Sequence, residues 1–567
     1  MQNPRILRYL MEHTEDEMIK KLANEKLKFK PLTAQEESMY QGIINYRTIP
    51  GLGGFNEAIM KDADTKLRDG GTYSVHNAEF LTGANISVTL TDDFMKAVEQ
   101  NADYDLRFPA VEKYSPEEMV TYNEEWHKVG DVREWERQGF AVRVYRTIKA
   151  RALWDLINIC ATYAAEPGIF FIDNANNETN AKAYGQQVVA TNPCGEQPLA
   201  PYSVCNLAAV NLAEVADKET KTVNHEKLQE IVRVGVRMQD NVIDATPYFL
   251  AENKVQALGE RRVGLGVMGL ADLLIYCEKE YGSPEGNDLV EKVFETIATS
   301  AYRESIELAK EKGSFPFLIG KTDEETKALR TAFINTGFMK KMPEDIRLSI
   351  LEHGIRNSHL LTVAPTGSTG TMVGVSTGLE PYFSFSYYRS GRLGKFIEVK
   401  AEIVEEYLES NPDADPENLP HWFISSMALA PEAHADVQCI IQRWIDSSIS
   451  KTVNAPKGYT VKQVESVYER LYKGGAKGGT VYVDGSRDSQ VLTLKAEEND
   501  MDSGYVEEVV ENRKVVLVNT IQDLRSTNVT IGSEVGDTCP VCRTGTVEEM
   551  GGCNTCTNCN AQLKCGL

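Results

Sequence analysis

The stretch VVATNPCGEQPLAPYSVCNL, residues 188–207, governs how the rest of the chain is read. It opens on a short apolar run and then sets Cys194 between Pro193 and Gly195. Proline removes a backbone donor and glycine admits left-handed φ, so Cys194 is expected on a turn and not inside a regular helix. Asn192 stands two residues before the cysteine and Glu196 two residues after it. An amide, a thiol and a carboxyl thus fall within five residues at the end of an apolar run. Loops held on a rigid scaffold carry chemistry in this way. Cys205 follows eleven residues later in a strand-like run, SVCNL. A lone cysteine is most often a small buried hydrophobe, but the turn and its polar companions argue against that role for Cys194. A zinc site built on this pair would need two further ligands, and none stands nearby in the sequence.

Outward from this loop, periods of three to four mark helices at 4–13, 145–164, 225–245, 288–312 and 434–448. Short β-prone runs lie between them at 84–90 (ANISVTL), 169–172 (IFFI), 187–190, 203–207, 360–363 (LLTV) and 480–483 (TVYV). Strands alternating with helices indicate an α/β architecture with parallel pairing. From 486 to 538 the periodicity fades and acid accumulates (AEENDMDSGYVEEVVEN), as in a tether.

The 567 residues suffice for several domains, or for one large barrel with an appendage. With 60 Lys and Arg against 83 Asp and Glu, the formal charge is −23. That balance argues against capture of a nucleic-acid backbone, which needs a basic surface. The N-terminus turns acidic within a few residues and no apolar run is long enough to span a bilayer. Neither a secretory leader nor a membrane span is therefore expected, and a cytoplasmic setting is. In that compartment the 11 cysteines read as thiols, metal ligands or catalytic groups rather than structural disulfides.

Six of those cysteines crowd into the tail, CPVC-RTGTVEEMGG-CNTCTNC-NAQLKC. Two C-x2-C knuckles, Cys539/Cys542 and Cys556/Cys559, supply four thiolates from two tight turns, an arrangement that suits tetrahedral Zn²⁺. Cys553 and Cys565 are then left over, and free thiols on an arm suit disulfide exchange. The ligand set is not unique, because Cys553 also forms a C-x2-C with Cys556. Residues 364–381, APTGSTGTMVGVSTGLEP, follow the LLTV run. Within Pro365, Thr366, Gly367, Ser368 and Thr369, the backbone N–H groups of the last four form either an anion cradle or an ordinary turn leading into a helix. No Walker A ending is present. Gly264, Gly266 and Gly269 in RRVGLGVMGLADLL match G-x-G-x-x-G, but the preceding QALGERR is polar, so close packing at a helix start is the better reading. The eight histidines show no ligand spacing, nor is there a D-x-H-x-x-G stretch.

Taken in order, NPCGEQPL, SVCNLAAVNL, RRVGLGVMGLADLL, APTGSTGTMVGVSTGLEP, SISKTVNAP and KGGTVYVDGSRDSQVL resemble the large subunit of class II, adenosylcobalamin-dependent ribonucleotide reductases. The resemblance runs from about Asn3 to Leu567. It implies a ten-stranded α/β barrel of the ribonucleotide reductase and glycyl-radical type, with a finger loop threaded through its centre. Residues 1–485 form its C-terminal portion, with 23–82 a possible insertion, 486–538 the acidic tether and 539–567 a small zinc ribbon. By the same resemblance Cys194 carries the thiyl radical that takes the 3′ hydrogen of a ribonucleotide. Glu196 takes the 3′-hydroxyl proton and Asn192 holds the substrate hydroxyl. Cys205 is one of two reducing thiols, and residues 365–369 cradle the substrate phosphates, a diphosphate rather than a triphosphate. The tail thiols re-reduce the active-site disulfide with electrons from a thioredoxin- or glutaredoxin-like reductant, and an oligomer is implied.

Class II is indicated because KGGTVYVDGS holds one tyrosine where class I relatives carry a neighbouring pair, and because a glycyl-radical R-V-x-G stretch is absent. A class I-type subunit and a catalytically idle nucleotide-binding relative stay as alternatives. Relatives carry a glycine- and arginine-rich loop before a helix like NPRILRYL, and no cysteine precedes Cys160 here to partner Cys205. The resemblance therefore implies a split enzyme completed by a second chain bearing the N-terminal half.

Overall fold

Val263–Met268 is buried along its whole length, as a strand with neighbours on both sides and cover on both faces must be. It is the middle of a row of strands. The computed structural model describes residues 4–13, 27–32, 57–75, 85–391, 394–415, 418–484, 546–550, 553–558 and 562–565, with a few isolated positions besides.

Eight strands position the site: β1 (Ser87–Leu90), β2 (Gly168–Phe171), β3 (Ala190–Thr191), β4 (Pro198–Leu199), β5 (Asn206–Asn211), β6 (Val263–Met268), β7 (Thr452–Ala455) and β8 (Gly478–Val483). β5 pairs in parallel with β6, from Asn206↔Val263 to Asn211↔Met268. Leu265 of β6 bridges in parallel to Leu361, and Val363 bridges in parallel to Ile449. The chain from Ile449 runs into β7, which pairs in parallel with β8. β8 meets β2 antiparallel, and β2 pairs in parallel with β1. The row is thus parallel from β5 to β8, reverses direction at the β8/β2 seam, and among the described residues does not close, since β5 and β1 each have one partner. A mixed α/β fold is what these residues form; the closed ten-stranded barrel expected from the resemblance is not seen among them.

Helices cover the row in two clusters. His225–Ala245 and Pro284–Lys312 enclose β6 with Leu228, Val232, Val236, Val293, Ile297 and Tyr302. Asp92–Glu99, Ala150–Ala164 and Val461–Lys473 enclose β1, β2, β7 and β8 through Phe94, Trp154, Val464 and Tyr468. The long helix starts at Pro284 because the Ser283 side chain accepts the Gly286 N–H and proline at the first position has no donor to satisfy. No described helix is long and apolar enough to cross a membrane.

Several sequence expectations shift; the helix expected over 434–448, for one, spans Pro431–Gln442, and the strand expected over 187–190 is Ala190–Thr191. The helix expected over 145–164 begins at Ala150, because VRVYRTIK at Val142–Lys149 alternates β-branched and polar residues and pairs with Asp103–Pro109. The strand expected over 203–207 runs from Asn206 to Asn211. The G-x-G-x-x-G stretch opens a helix only at Gly269, whose φ of +76° caps Leu270–Tyr276, whereas Gly264 and Gly266 lie inside β6. The glycine run expected to follow no strand is itself the strand. Within the expected insertion, Leu27–Pro31 pairs antiparallel with Gly71–Val75.

Two compact units are distinguished: residues 1–246, 255–386 and 400–490 form the first, which holds the row above. The second comprises 247–254, 387–399 and 491–567. Within it, Val547–Met550, Cys553–Cys556 and Gln562–Cys565 form an antiparallel three-stranded sheet in which Cys553 stands opposite Cys565. Cys539, Cys542 and Cys559, and nearly all of the expected tether, lie outside the described residues.

Candidate active site

β3 and β4 make a short antiparallel hairpin, with Ala190 opposite Leu199 and Thr191 opposite Pro198. Residues 192–197 form its tip. Asn192 N–H donates to Gln197 O at 3.2 Å, Gly195 N–H donates to Asn192 O at 3.0 Å, and Gln197 N–H donates to Asn192 Oδ1 at 2.9 Å. Gly195 sits at φ +82°, a left-handed conformation that glycine adopts without strain. Asn192 is therefore the clasp of the loop as well as a candidate ligand for substrate. The expected turn at Cys194 is present, and the cysteine is exposed while Glu196, two residues on, is 2 % exposed.

The tip is tied to the row from behind. Glu196 O accepts from Ser448 N–H at 2.9 Å and from Thr362 Oγ1 at 2.7 Å. Arg262, fully buried, donates to Pro198 O at 3.3 Å and pairs with Glu260 at 3.4 Å. Glu260 in turn accepts from Ser203. Asp446 holds the strand carrying Thr362 by accepting Leu360 N–H and Leu361 N–H, while Lys477 donates to the carbonyls of Asp446 and Ser447. Each buried charge here has a partner, which is the condition for its being tolerated.

Glu196 Oε2 has no hydrogen-bond partner among the described residues. Burial pushes its carboxyl above the usual range, partly offset by its own backbone N–H and by the Asn192 amide. A carboxyl whose proton affinity is raised in this way is a better proton acceptor than a free carboxylate. Burial, with the nearby Glu196 charge, also pushes the Cys194 thiol up. Beside Cys194 is a cavity of ≈ 160 Å³ lined by Thr191, Gly195, Ser87, Gly168, Lys451 and Thr480, among others. The hairpin tip, the starts of β1, β2 and β8, and the segment before β7 thus meet at one thiol.

Cys205 precedes β5 as a half-buried free thiol, donating weakly to Asn206 O at 3.3 Å. Burial raises its pKa strongly. A Cβ on Gly264 would lie 2.7 Å from Cys205 Sγ, 2.7 Å from Thr362 Cγ2 and 3.0 Å from Gln197 Nε2. Thr362 consequently touches both the finger loop and the wall beside Cys205. Sequence reading passed over Thr362 and Arg262, the one signal being a threonine inside LLTV; Gly264 was read as close packing at a helix start, and the close packing is here beside Cys205.

At the expected phosphate loop, Thr366 has φ +47° and its Oγ1 accepts Gly378 N–H at 2.7 Å. The helix Gly367–Met372 starts there without a side-chain cap, and Pro365, Gly367, Ser368 and Thr369 are exposed. Its first N–H groups have no acceptor within the helix. In the tail, Cys556 is buried and its sulfur accepts Asn558 N–H at 3.4 Å. No group of three His, Cys, Asp or Glu poised for a metal occurs among the described residues.

Residues 55–482 match the family described as "Ribonucleotide reductase, barrel domain". The chain is 30% identical over 458 residues to the vitamin B12-dependent ribonucleoside-diphosphate reductase of Mycobacterium tuberculosis, covering 77% of this chain and 56% of that protein. The protein of the same description from Thermoplasma acidophilum is 30% identical over 470 residues, 80% of this chain and 52% of the relative. The ribonucleoside-diphosphate reductase subunit alpha of Chlamydia muridarum is 27% identical over 435 residues, 69% of this chain and 40% of the relative. The chain thus spans about half the length of the B12-dependent relatives it matches. With a family match over residues 55–482 and relatives at 30% identity over more than three quarters of its length, the chain belongs to the ribonucleotide reductase barrel-domain family.

Proposed function

We propose that this chain carries the catalytic finger loop of a ribonucleotide reductase that converts ribonucleoside diphosphates to 2′-deoxyribonucleotides. The observation that carries the reading is the pairing of an exposed Cys194, at the mouth of a sugar-sized cavity, with a buried Glu196 two residues away. Cys194, as a thiyl radical, takes the 3′ hydrogen of the ribose. Glu196 accepts the 3′-hydroxyl proton, a role suited to its raised pKa. Asn192, already hydrogen-bonded within the loop, orients the hydroxyl through its amide. Cys205 and a second thiol supply two electrons as the 2′-hydroxyl leaves as water, and end as a disulfide. Thr366, Gly367, Ser368 and Thr369 receive the diphosphate on backbone N–H groups, and Pro365, which has no N–H, shapes the turn that presents them.

Adenosylcobalamin is the proposed radical source, supported by the B12 dependence of the two relatives at 30% identity. In this reading the cavity of ≈ 160 Å³ at Cys194 receives the ribose; no residue is assigned to holding the corrin, and no step above runs through the cofactor. The second reducing thiol and the remaining barrel strands are proposed to come from polypeptide outside this sequence, on a partner chain bearing the N-terminal half. In the tail, Cys539, Cys542, Cys556 and Cys559 are the proposed zinc ligands, in keeping with the N–H···S contact at Cys556. Cys553 and Cys565 are the proposed shuttle, fed by a thioredoxin-like reductant.

The test is formation of deoxynucleotide from a ribonucleoside diphosphate by the chain co-purified with its partner, with adenosylcobalamin and a dithiol. Cys194→Ser is expected to abolish product while leaving the melting curve unchanged. Product formation by that variant would overturn the assignment.

A further inference from the structure

We propose that Gln197 is a positioning residue for Cys205: its buried carboxamide holds the sulfur against β6 and stabilises it in the thiolate form. The proposal rests on the reading of Cys205 as a reducing thiol, because the thiolate is the form that takes part in disulfide exchange. Gln197 is 4 % exposed, and neither its Nε2 nor its Oε1 has a hydrogen-bond partner among the described residues. An unpartnered buried amide is costly and calls for a ligand that it meets in some state of the protein. The nearest chemistry is sulfur. The same point above Gly264, where a Cβ is absent, is 2.7 Å from Cys205 Sγ and 3.0 Å from Gln197 Nε2. The thiol meanwhile donates its own proton to Asn206 O, so its lone pairs stay available to an N–H donor.

The backbone of the same residue closes the finger loop, since Gln197 N–H donates to Asn192 Oδ1 and Gln197 O accepts from Asn192 N–H. One residue therefore joins the clasp of the radical-bearing loop to the sulfur that reduces the substrate. The charged groups that face Cys205 are Arg262, which favours the thiolate, and Glu260 and Asp446, which oppose it. Arg262 is already engaged by Glu260, Pro198 O and Ser447, which leaves the Gln197 amide as the uncommitted donor beside the sulfur.

The experiment follows iodoacetamide alkylation of individual cysteines by peptide mass spectrometry from about pH 7 to 10, below the titration of the buried thiol, where the rate rises with the thiolate fraction, on the full chain, with Gln197→Leu and Gln197→Met. Both variants are expected to move the Cys205 profile to higher pH and to slow its alkylation about three- to tenfold at the low end, the worth of one charge-assisted hydrogen bond after the gain in intrinsic nucleophilicity. Cys439, half-buried and remote in sequence, serves as the reference, and its rate is expected not to change. Faster alkylation of Cys439 marks a loosened fold, in which case the shape-conserving methionine variant decides the matter. A Cys205 profile unchanged, or moved to lower pH, with Cys439 steady overturns the proposal and leaves the reductase reading standing. A Cys205→Ser variant of the holoenzyme that still turned over with a protein reductant would instead overturn the reducing-thiol role, and leave the Gln197 contact intact.

Discussion

Replacing Gly264 with alanine tests the packing behind the site quantitatively. The added methyl would lie 2.7 Å from Cys205 Sγ, 2.7 Å from Thr362 Cγ2 and 3.0 Å from Gln197 Nε2. Ordinary carbon contacts are near 3.5–4.0 Å, so three side chains must retreat by about 1 Å in a strand that is buried along its whole length. Overpacking of this kind costs about 1–3 kcal/mol. Stiffening of the unfolded chain by alanine returns about 0.4–1 kcal/mol. The net expectation is a loss of about 1–2 kcal/mol. Urea unfolding followed by tryptophan fluorescence reads it, with Gly367→Ala as the control, since a methyl there meets nothing within 4 Å. Combining Gly264→Ala with Cys205→Ala is expected to recover roughly a third of the loss, because one of the three overlaps disappears and the others stay. An unfolding midpoint unchanged in Gly264→Ala, or a double variant no more stable than that single one, refutes the convergence of Cys205, Thr362 and Gln197 on the bare face of β6.

Glu196→Gln is expected to abolish turnover without loss of stability, and to flatten the pH dependence of folding. The folded-state pKa of Glu196 lies above its unfolded value, so the folded form holds the proton more tightly. Its contribution favours folding at low pH and is lost as pH rises through the interval between those two values. Unfolding midpoints measured across that interval should converge for variant and parent at the acidic end; identical slopes in the two proteins would contradict the sign. Arg262→Met leaves Glu260 buried and without its cation, and should cost about 3–5 kcal/mol, read as a large drop in melting temperature or in yield of folded chain. A variant as stable as the parent would show that the pair does not brace the hairpin at Pro198.

Much of the site was legible because the chemistry is local. Asn192, Cys194 and Glu196 fall within five residues, and proline and glycine beside the cysteine exclude a helix whatever surrounds them. The turn at Cys194 and the helix His225–Ala245 stand where periodicity and turn chemistry placed them. Other readings went astray where long-range pairing overrides local pattern. VRVYRTIK carries spacing compatible with a helix, yet its partner Asp103–Pro109 makes it a strand. The polar QALGERR hid a strand that begins one residue later, and its two glycines read as packing at a helix start because a strand covered on both faces loses the alternation that identifies one.

By itself the sequence determined which reactive groups share a loop and that the chain alternates strands with helices. Only the tertiary structure decided which face of that loop is wet and which is buried. It set Cys194 outward and Glu196 inward, and it brought Thr362, Ser448 and Arg262, distant in sequence, to the back of the hairpin. It also turned Gly264 from an expected helix-start residue into the clearance for Cys205. The physical reason is that a proton affinity and a close contact depend on what has been removed from water and what lies across the gap. Those are properties of packing between strands far apart in the chain, which spacing along the chain does not carry.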